Sequence, residues 1–243
     1  MKNKFCITSP RNRQRKDIKE FITFIILAEN HGYRMKSHGP IPMIKIGEKT
    51  ILEKQIETIK SCFINYEIIV CAGFESFKIN SHIKDGLFDK VRVVENQIHY
   101  NTNCCESIRL CLGNTNNSRI FIQQCNTILS RENYSQIDYN KNSIITQDTN
   151  SNSLFEISAI NHNYKLQNLS LGLKDNYWIE NFYICGDKEI NKFYEIVSNI
   201  NFKTKFLFEA INDFSRNYEV SVIKNLQKQV KKYNNLKSIK ESV

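Results

Sequence analysis

Eight thiols, Cys6, Cys62, Cys71, Cys104, Cys105, Cys111, Cys125 and Cys185, are the side chains with the widest chemical range in this chain. Their spacing argues against a zinc site: there is no CxxC pair and no histidine at zinc-finger distance. Several sit inside apolar runs, Ile69-Val70-Cys71 and Tyr183-Ile184-Cys185, where a reduced cysteine packs as a small hydrophobe. Unpaired cysteines in such numbers place the protein in a reducing compartment, the cytoplasm. His31, His38, His82, His99 and His162 are dispersed along the chain. Glu29 could act as a general base or metal ligand, although a loop carboxylate with no second one nearby is ordinarily solvated. Asp148, Asp175 and Asp187 are further candidate metal ligands. Trp178 could stack on a cationic group or serve the core. Neither GxxxxGK[ST] nor GxGxxG occurs, which excludes the P-loop and the dinucleotide fingerprint.

Any such chemistry needs a scaffold, and 243 residues with 41% hydrophobic side chains, 15 Phe and 11 Tyr can bury a large core. The longest apolar run, Phe24 to Ala28, is far too short to cross a bilayer. Basic Arg11 to Lys19 before Phe21–Ala28 resembles parts of a signal peptide, but Glu29-Asn30-His31-Gly32 is a poor cleavage site and the run reads as a buried strand. A net charge of +9 favours phosphorylated or polyanionic partners. The division expected is a flexible basic arm over 1–18, one domain over 19–225, and a basic helix or tail over 226–243. The arm and tail could bind a polyanion or protein partner, though solvated charge is the simpler reading and neither has the interleaved aromatics of a single-strand binder.

Within the domain, Phe21–Ala28 reads as a central strand covered on both faces. Thr50-Ile51-Leu52-Glu53 forms a capping box opening a helix to about Phe63, with Ile51, Leu52, Gln55, Ile56 and Ile59 at helical spacing. Strands follow at Tyr66–Cys71, Val91–Glu95 and Arg119–Gln124, separated by helices at Phe74–Lys84 and Thr102–Leu112. This alternation implies right-handed crossovers and an α/β fold with a mostly parallel central sheet flanked by helices. After Asn142 come β-like pieces at Ser143–Thr146, Leu154–Ile160 and Trp178–Ile184, helices at Asp187–Asn199 and Lys203–Phe214, a strand at Glu219–Ile223 and a helical tail over Lys224–Lys240.

One loop pattern adds a specific reading. Ile26-Leu27-Ala28, Gly32-Tyr33-Arg34-Met35, Pro40-Ile41-Pro42-Met43-Ile44, Ile46-Gly47, Lys49 and Ile51-Leu52-Glu53-Lys54-Gln55-Ile56 resemble the opening of the sugar-phosphate and phosphocholine nucleotidylyltransferases. Asn96, Thr102, Asn103 and Ser107 resemble a second segment of that family. The resemblance covers residues 20–125 and is thin beyond them. It implies a Rossmann-like fold of the nucleotide-diphospho-sugar transferase type. It also implies attack of a phosphorylated acceptor on the α-phosphate of a nucleoside triphosphate. Ala28, Gly32, Arg34, Asn103 and Ser107 stand at nucleotide-binding positions: glycine lets backbone approach phosphate, and arginine can pair with it bidentately.

The departures are as informative. Glu29 and Asn30 replace a small residue and a glycine of the phosphate loop, and Ile41 replaces the phosphate lysine. The position of the metal-holding aspartate is taken by Asn126, in Cys125-Asn126, and an amide is a poor Mg²⁺ ligand. A second metal aspartate, aligned weakly to Val230–Leu236, is Lys231, which could serve as a built-in cation near Asn126. No metal ligands are expected, and Mg²⁺ only if the chain is active. The expectation is a catalytically impaired or inactive nucleotidylyltransferase-like protein. The alternatives are an active enzyme with a rebuilt metal site, or a polyanion-binding or assembly module using the basic termini.

Overall fold

The computed structural model describes residues 20–29, 39–86, 88–148, 156–173, 175–225, 230 and 232–233. Strand β1 (Ile22–Ala28) is followed by a two-strand ribbon, β2 (Lys45–Ile46) and β3 (Lys49–Thr50), and helix α1 (Ile51–Cys62). Then come β4 (Tyr66–Ala72), α2 (Ser76–Asp85), β5 (Val91–Glu95), α3 (Cys104–Leu112), β6 (Arg119–Gln124) and the short α4 (Arg131–Ser135). The second half holds β7 (Ser143–Gln147), β8 (Ile157–His162), β9 (Lys165–Leu171), β10 (Tyr177–Trp178) and β11 (Asn181–Cys185). It ends with α5 (Asp187–Ser198), α6 (Leu207–Ser215) and β12 (Ser221–Asn225).

Ten strands form one sheet in the order β10-β8-β9-β12-β7-β11-β6-β1-β4-β5. The pairings β1–β4, β1–β6, β4–β5 and β7–β12 are parallel, and β9, β10 and β11 run against their neighbours. The sheet is thus mostly parallel in direction, as the βα alternation implies. Strand β10 pairs with both β8 and β7, so β7, β12, β9, β8 and β10 close into a ring of pairings.

All seven residues of β1 are buried because both faces are covered. Ile22, Phe24, Ile26 and Ala28 face the layer of α1 and α4, joined by Phe63, Phe121, Tyr134 and Tyr183. Ile25 and Leu27 face the layer of α3, α5 and α6, joined by Phe182, Phe193 and Phe214. The capping box of α1 forms as read: the Thr50 hydroxyl accepts from the Glu53 amide at 3.1 Å, and the Glu53 carboxylate accepts from the Thr50 amide.

Several local readings are corrected. Trp178–Ile184 is two strands, broken at Glu180, which takes the left-handed region at φ 53°. Strand β9 escaped because Gln167 is an extra residue: Ile160 pairs with Asn168 and Asn161 with Leu166, so the alternation slips. The helix read from Lys203 begins only at Leu207, after a 3₁₀ turn at Ile200–Phe202. Lys224 and Asn225 complete β12 rather than opening a helix, and Lys232 lies in a β-bridge with Thr127. Among the described residues no helix is long and apolar enough to cross a membrane.

Candidate functional site

The carboxyl ends of β1, β4, β5, β6 and β7 lie along one edge of the sheet, where an open α/β fold presents its ligand site. Ala28 ends β1, fully buried. Gly32 and Arg34 lie outside the described residues, as do Asn30, His31, Lys36 and His38. After β4, Gly73 lets three segments meet. A Cβ there would come within 2.7 Å of the Glu29 carbonyl and 2.8 Å of the His99 ring. The Phe74 amide donates to that same carbonyl at 2.9 Å.

Asn96, Thr102, Asn103 and Ser107 come together beyond β5. The Asn96 amide donates to the hydroxyls of Thr102 and Ser107, both at 3.1 Å, and its carbonyl side-chain oxygen accepts from the Ile98 amide. Asn103 caps α3 by accepting from the Cys104 amide at 2.9 Å, and its own amide donates to the Lys203 carbonyl at 3.0 Å. Ser107 is fully buried. These polar groups therefore fix the start of α3 against the sheet edge.

Glu29 differs from the solvated carboxylate expected of it. It is only 2% exposed, because the chain leaving β1 passes beneath the Gly73–His99 contact. Burial pushes its carboxyl up to about 7, partly offset by a backbone hydrogen bond. Burial first, and the Glu29 charge second, push the nearby Cys125 thiol up as well. Glu67 at the other end of β4 shows the contrast: hydrogen bonds from Thr23 at 2.7 Å, Thr115 at 2.9 Å and Arg92 outweigh its burial and hold it below the usual carboxylate range.

The exit of β6 carries Cys125 and Asn126. Two outside groups hold this turn. The buried Gln55 amide on α1 donates to the Gln124 carbonyl at 3.0 Å and the Thr127 carbonyl at 2.7 Å, and the Tyr233 amide donates to the Asn126 carbonyl at 2.9 Å. Gln55 was not singled out as a site residue. Its signal was a polar side chain on the apolar face of α1. Gln55→Leu leaves the Thr127 carbonyl without that buried donor and the Gln124 carbonyl with only the long bond from the Thr127 amide, which costs about 1–3 kcal/mol for the first alone. Mass-spectrometric alkylation is expected to find the Cys125 thiol opened in this variant, with Cys111 on α3 still protected. Equal protection of the two thiols would show that Gln55 does not hold the turn.

Lys232 pairs through its backbone with Thr127, next to Asn126, and its ammonium lies 3.1 Å from the Glu180 carboxylate and 3.4 Å from the Trp178 carbonyl. The other candidates do not converge here. Asp148 pairs with Lys224 at 2.7 Å near the surface, Asp175 is exposed, and Asp187 opens α5 at the opposite edge. Trp178 is core, its indole donating to the Asn181 carbonyl at 2.8 Å. Among the described residues the seven cysteines are free thiols, and no three His, Cys, Asp or Glu side chains gather to hold a metal. An amide, a high thiol and a carboxylate already paired with an ammonium do not fit Mg²⁺, which takes its protein ligands from free carboxylates.

The fold recurs in solved structures. CTP:phosphocholine cytidylyltransferase from Streptococcus pneumoniae superposes with a TM-score of 0.74 at 16% identity, covering 91% of this chain and 97% of that one. The chain has the nucleotidylyltransferase fold. The inositol-1-phosphate CTP transferase from T. maritima matches with a TM-score of 0.72 at 12% identity, over 90% of this chain and 91% of its own. A UDP-glucose pyrophosphorylase complexed with UDP-glucose matches with a TM-score of 0.72 at 10% identity, over 91% of this chain and 97% of its own. No protein-family profile and no curated protein matches the sequence. At such identities the nucleotidylyltransferase fold is what is shared, nearly end to end.

Proposed function

We propose that this protein binds a nucleoside triphosphate at the carboxyl edge of its sheet and has lost most or all nucleotidyl transfer to a phosphorylated acceptor. The observation that carries this is the exit of β6. Asn126 stands where the resemblance expects a metal-holding aspartate, and the segment paired with this turn brings Lys232, whose ammonium is bound by Glu180. In this reading Ala28, Gly32 and Arg34 approach the phosphates, while Asn103 and Ser107 set the wall formed by the start of α3. Loss of the metal clamp removes several kcal/mol of transition-state stabilisation, and each 1.36 kcal/mol is about tenfold in rate.

The test pairs two measurements on the full chain. Thermal shift with ATP, CTP, GTP and UTP is expected to show stabilisation by at least one of them, since a ligand that binds only the native state raises stability by RT ln(1 + [L]/Kd). Pyrophosphate release with that nucleotide and either phosphocholine or sugar 1-phosphates is expected to be absent or at least about a thousandfold slower than an enzyme's turnover. Stabilisation by none of the four would refute nucleotide binding. Brisk, Mg²⁺-dependent release would instead favour an active enzyme with a rebuilt metal site.

A further inference from the structure

We infer that Lys232 is a built-in cation for the phosphate chain of the ligand, so that anion binding at this edge needs no divalent metal. The inference rests on the nucleotide reading above and names the group that would make it work. The turn where the resemblance places a metal-holding aspartate carries Asn126, and the segment paired with that turn carries a lysine whose ammonium is bound by Glu180.

That ammonium is held in place through both its main chain and its side chain. Lys232 forms a β-bridge with Thr127, and the next amide, Tyr233, donates to Asn126. Two residues back, Gln147 grips Val230 from both sides, accepting from its amide at 2.7 Å and donating to its carbonyl at 3.4 Å. Val230 and Tyr233 are themselves buried, so the segment is anchored on either side of the lysine. The side chain is only 12% exposed. Such a charge is oriented before the ligand arrives and costs little reorganisation to use.

Among the described residues its donors are not all used. A lysine ammonium carries three N–H groups. The Glu180 carboxylate and the Trp178 carbonyl account for two among the described residues, leaving one for a phosphate oxygen. The backbone that carries Glu180 is held, because the buried Ile179 and Asn181 flank it and the Asn181 side chain bonds both the amide and the carbonyl of Ile145, at 3.0 and 3.4 Å. A divalent ion entering this corner would have to displace an ammonium from its carboxylate and then stand beside it. Like-charge repulsion opposes this.

The consequences have opposite signs for lysine and metal. Titration calorimetry with ATP, CTP, GTP, UTP and inorganic tripolyphosphate, each in Mg²⁺ and in EDTA, should give the same Kd in both media. Lys232→Met should weaken binding about tenfold or more, as expected for loss of a hydrogen bond from a charged donor, and Lys232→Arg should retain it. Glu180→Gln should leave binding as tight or tighter, because it frees the ammonium from its counter-charge. Were Glu180 a metal ligand, that variant would abolish binding. Binding that requires Mg²⁺, that survives Lys232→Met, or that falls in Glu180→Gln overturns the inference. Should Lys232→Met not fold, the EDTA comparison and Glu180→Gln still decide. Tripolyphosphate bound without any nucleotide would refute the nucleotide reading and leave the lysine site standing, whereas no binding of any of the five would refute both.

Discussion

Glu29→Gln is expected to raise the melting temperature at pH 8 by roughly 6–12 °C, while changing it little at pH 4. The carboxyl rises from an ordinary 4.5 to about 7 in the folded chain because burial penalises its charged form. A carboxyl raised on folding destabilises by its ionisation. Below about pH 4.5 both folded and unfolded chains hold the proton and there is no penalty. Between about 4.5 and 7 the unfolded chain releases it while the folded chain keeps it, so stability falls as pH rises, and above 7 the loss is complete. A shift of this size corresponds to about 3 kcal/mol, and each kcal/mol moves the melting point of a chain this long by about 2–4 °C. Melting scans of both proteins from pH 4 to 8 check this. A difference between them that does not change with pH would mean that Glu29 keeps an ordinary carboxyl. The same shift bears on phosphate binding: a neutral Glu29 repels a triphosphate less than the anion its position suggested.

Phe24→Ala should be the most damaging single core truncation, costing about 3–5 kcal/mol and lowering the melting point by roughly 6–20 °C. Phe24 sits on the central strand, fully buried, with ring centroids 4.8 Å from Phe63, 5.6 Å from Phe121 and 5.9 Å from Tyr134. These tilted and edge-on pairs add to the transfer free energy, and a rigid strand-and-helix sandwich cannot collapse into the space left behind. Phe24→Leu, which keeps most of the volume, should cost far less, and Phe77→Ala on the exposed side of α2 should be nearly neutral. Urea titrations of the three variants give the ranking. If Phe24→Ala loses less than about 2 kcal/mol, the cluster relaxes and is not the rigid centre of this half of the molecule.

What was legible before the fold was known was local or periodic. The apolar run of β1, the capping box at Thr50 and Glu53, and the strands at Val91–Glu95 and Arg119–Gln124 each depend on neighbours a few residues away, and each appears at or within a residue or so of where it was read. The strand β9 was not legible, since the extra Gln167 hides its alternation and only pairing with β8 reveals it. The break at Glu180 was missed because nothing local requires the left-handed backbone there, which comes with the change of strand partners between β10 and β11.

The sequence by itself determined the α/β architecture and the place of Asn126 just after β6, because these follow from residue type and short-range order. Only the tertiary structure decided that Glu29 is buried rather than solvated, that Gln55 reaches across from α1 to hold the β6 turn, and that the backbone at Lys232 pairs with that turn while its ammonium meets Glu180. It also brought forward Lys232, where the linear alignment had pointed to Lys231, which lies outside the described residues. The register that sets Lys232 opposite Thr127 is fixed by the tertiary structure. That choice depends on pairing between segments about a hundred residues apart, a contact no local pattern encodes.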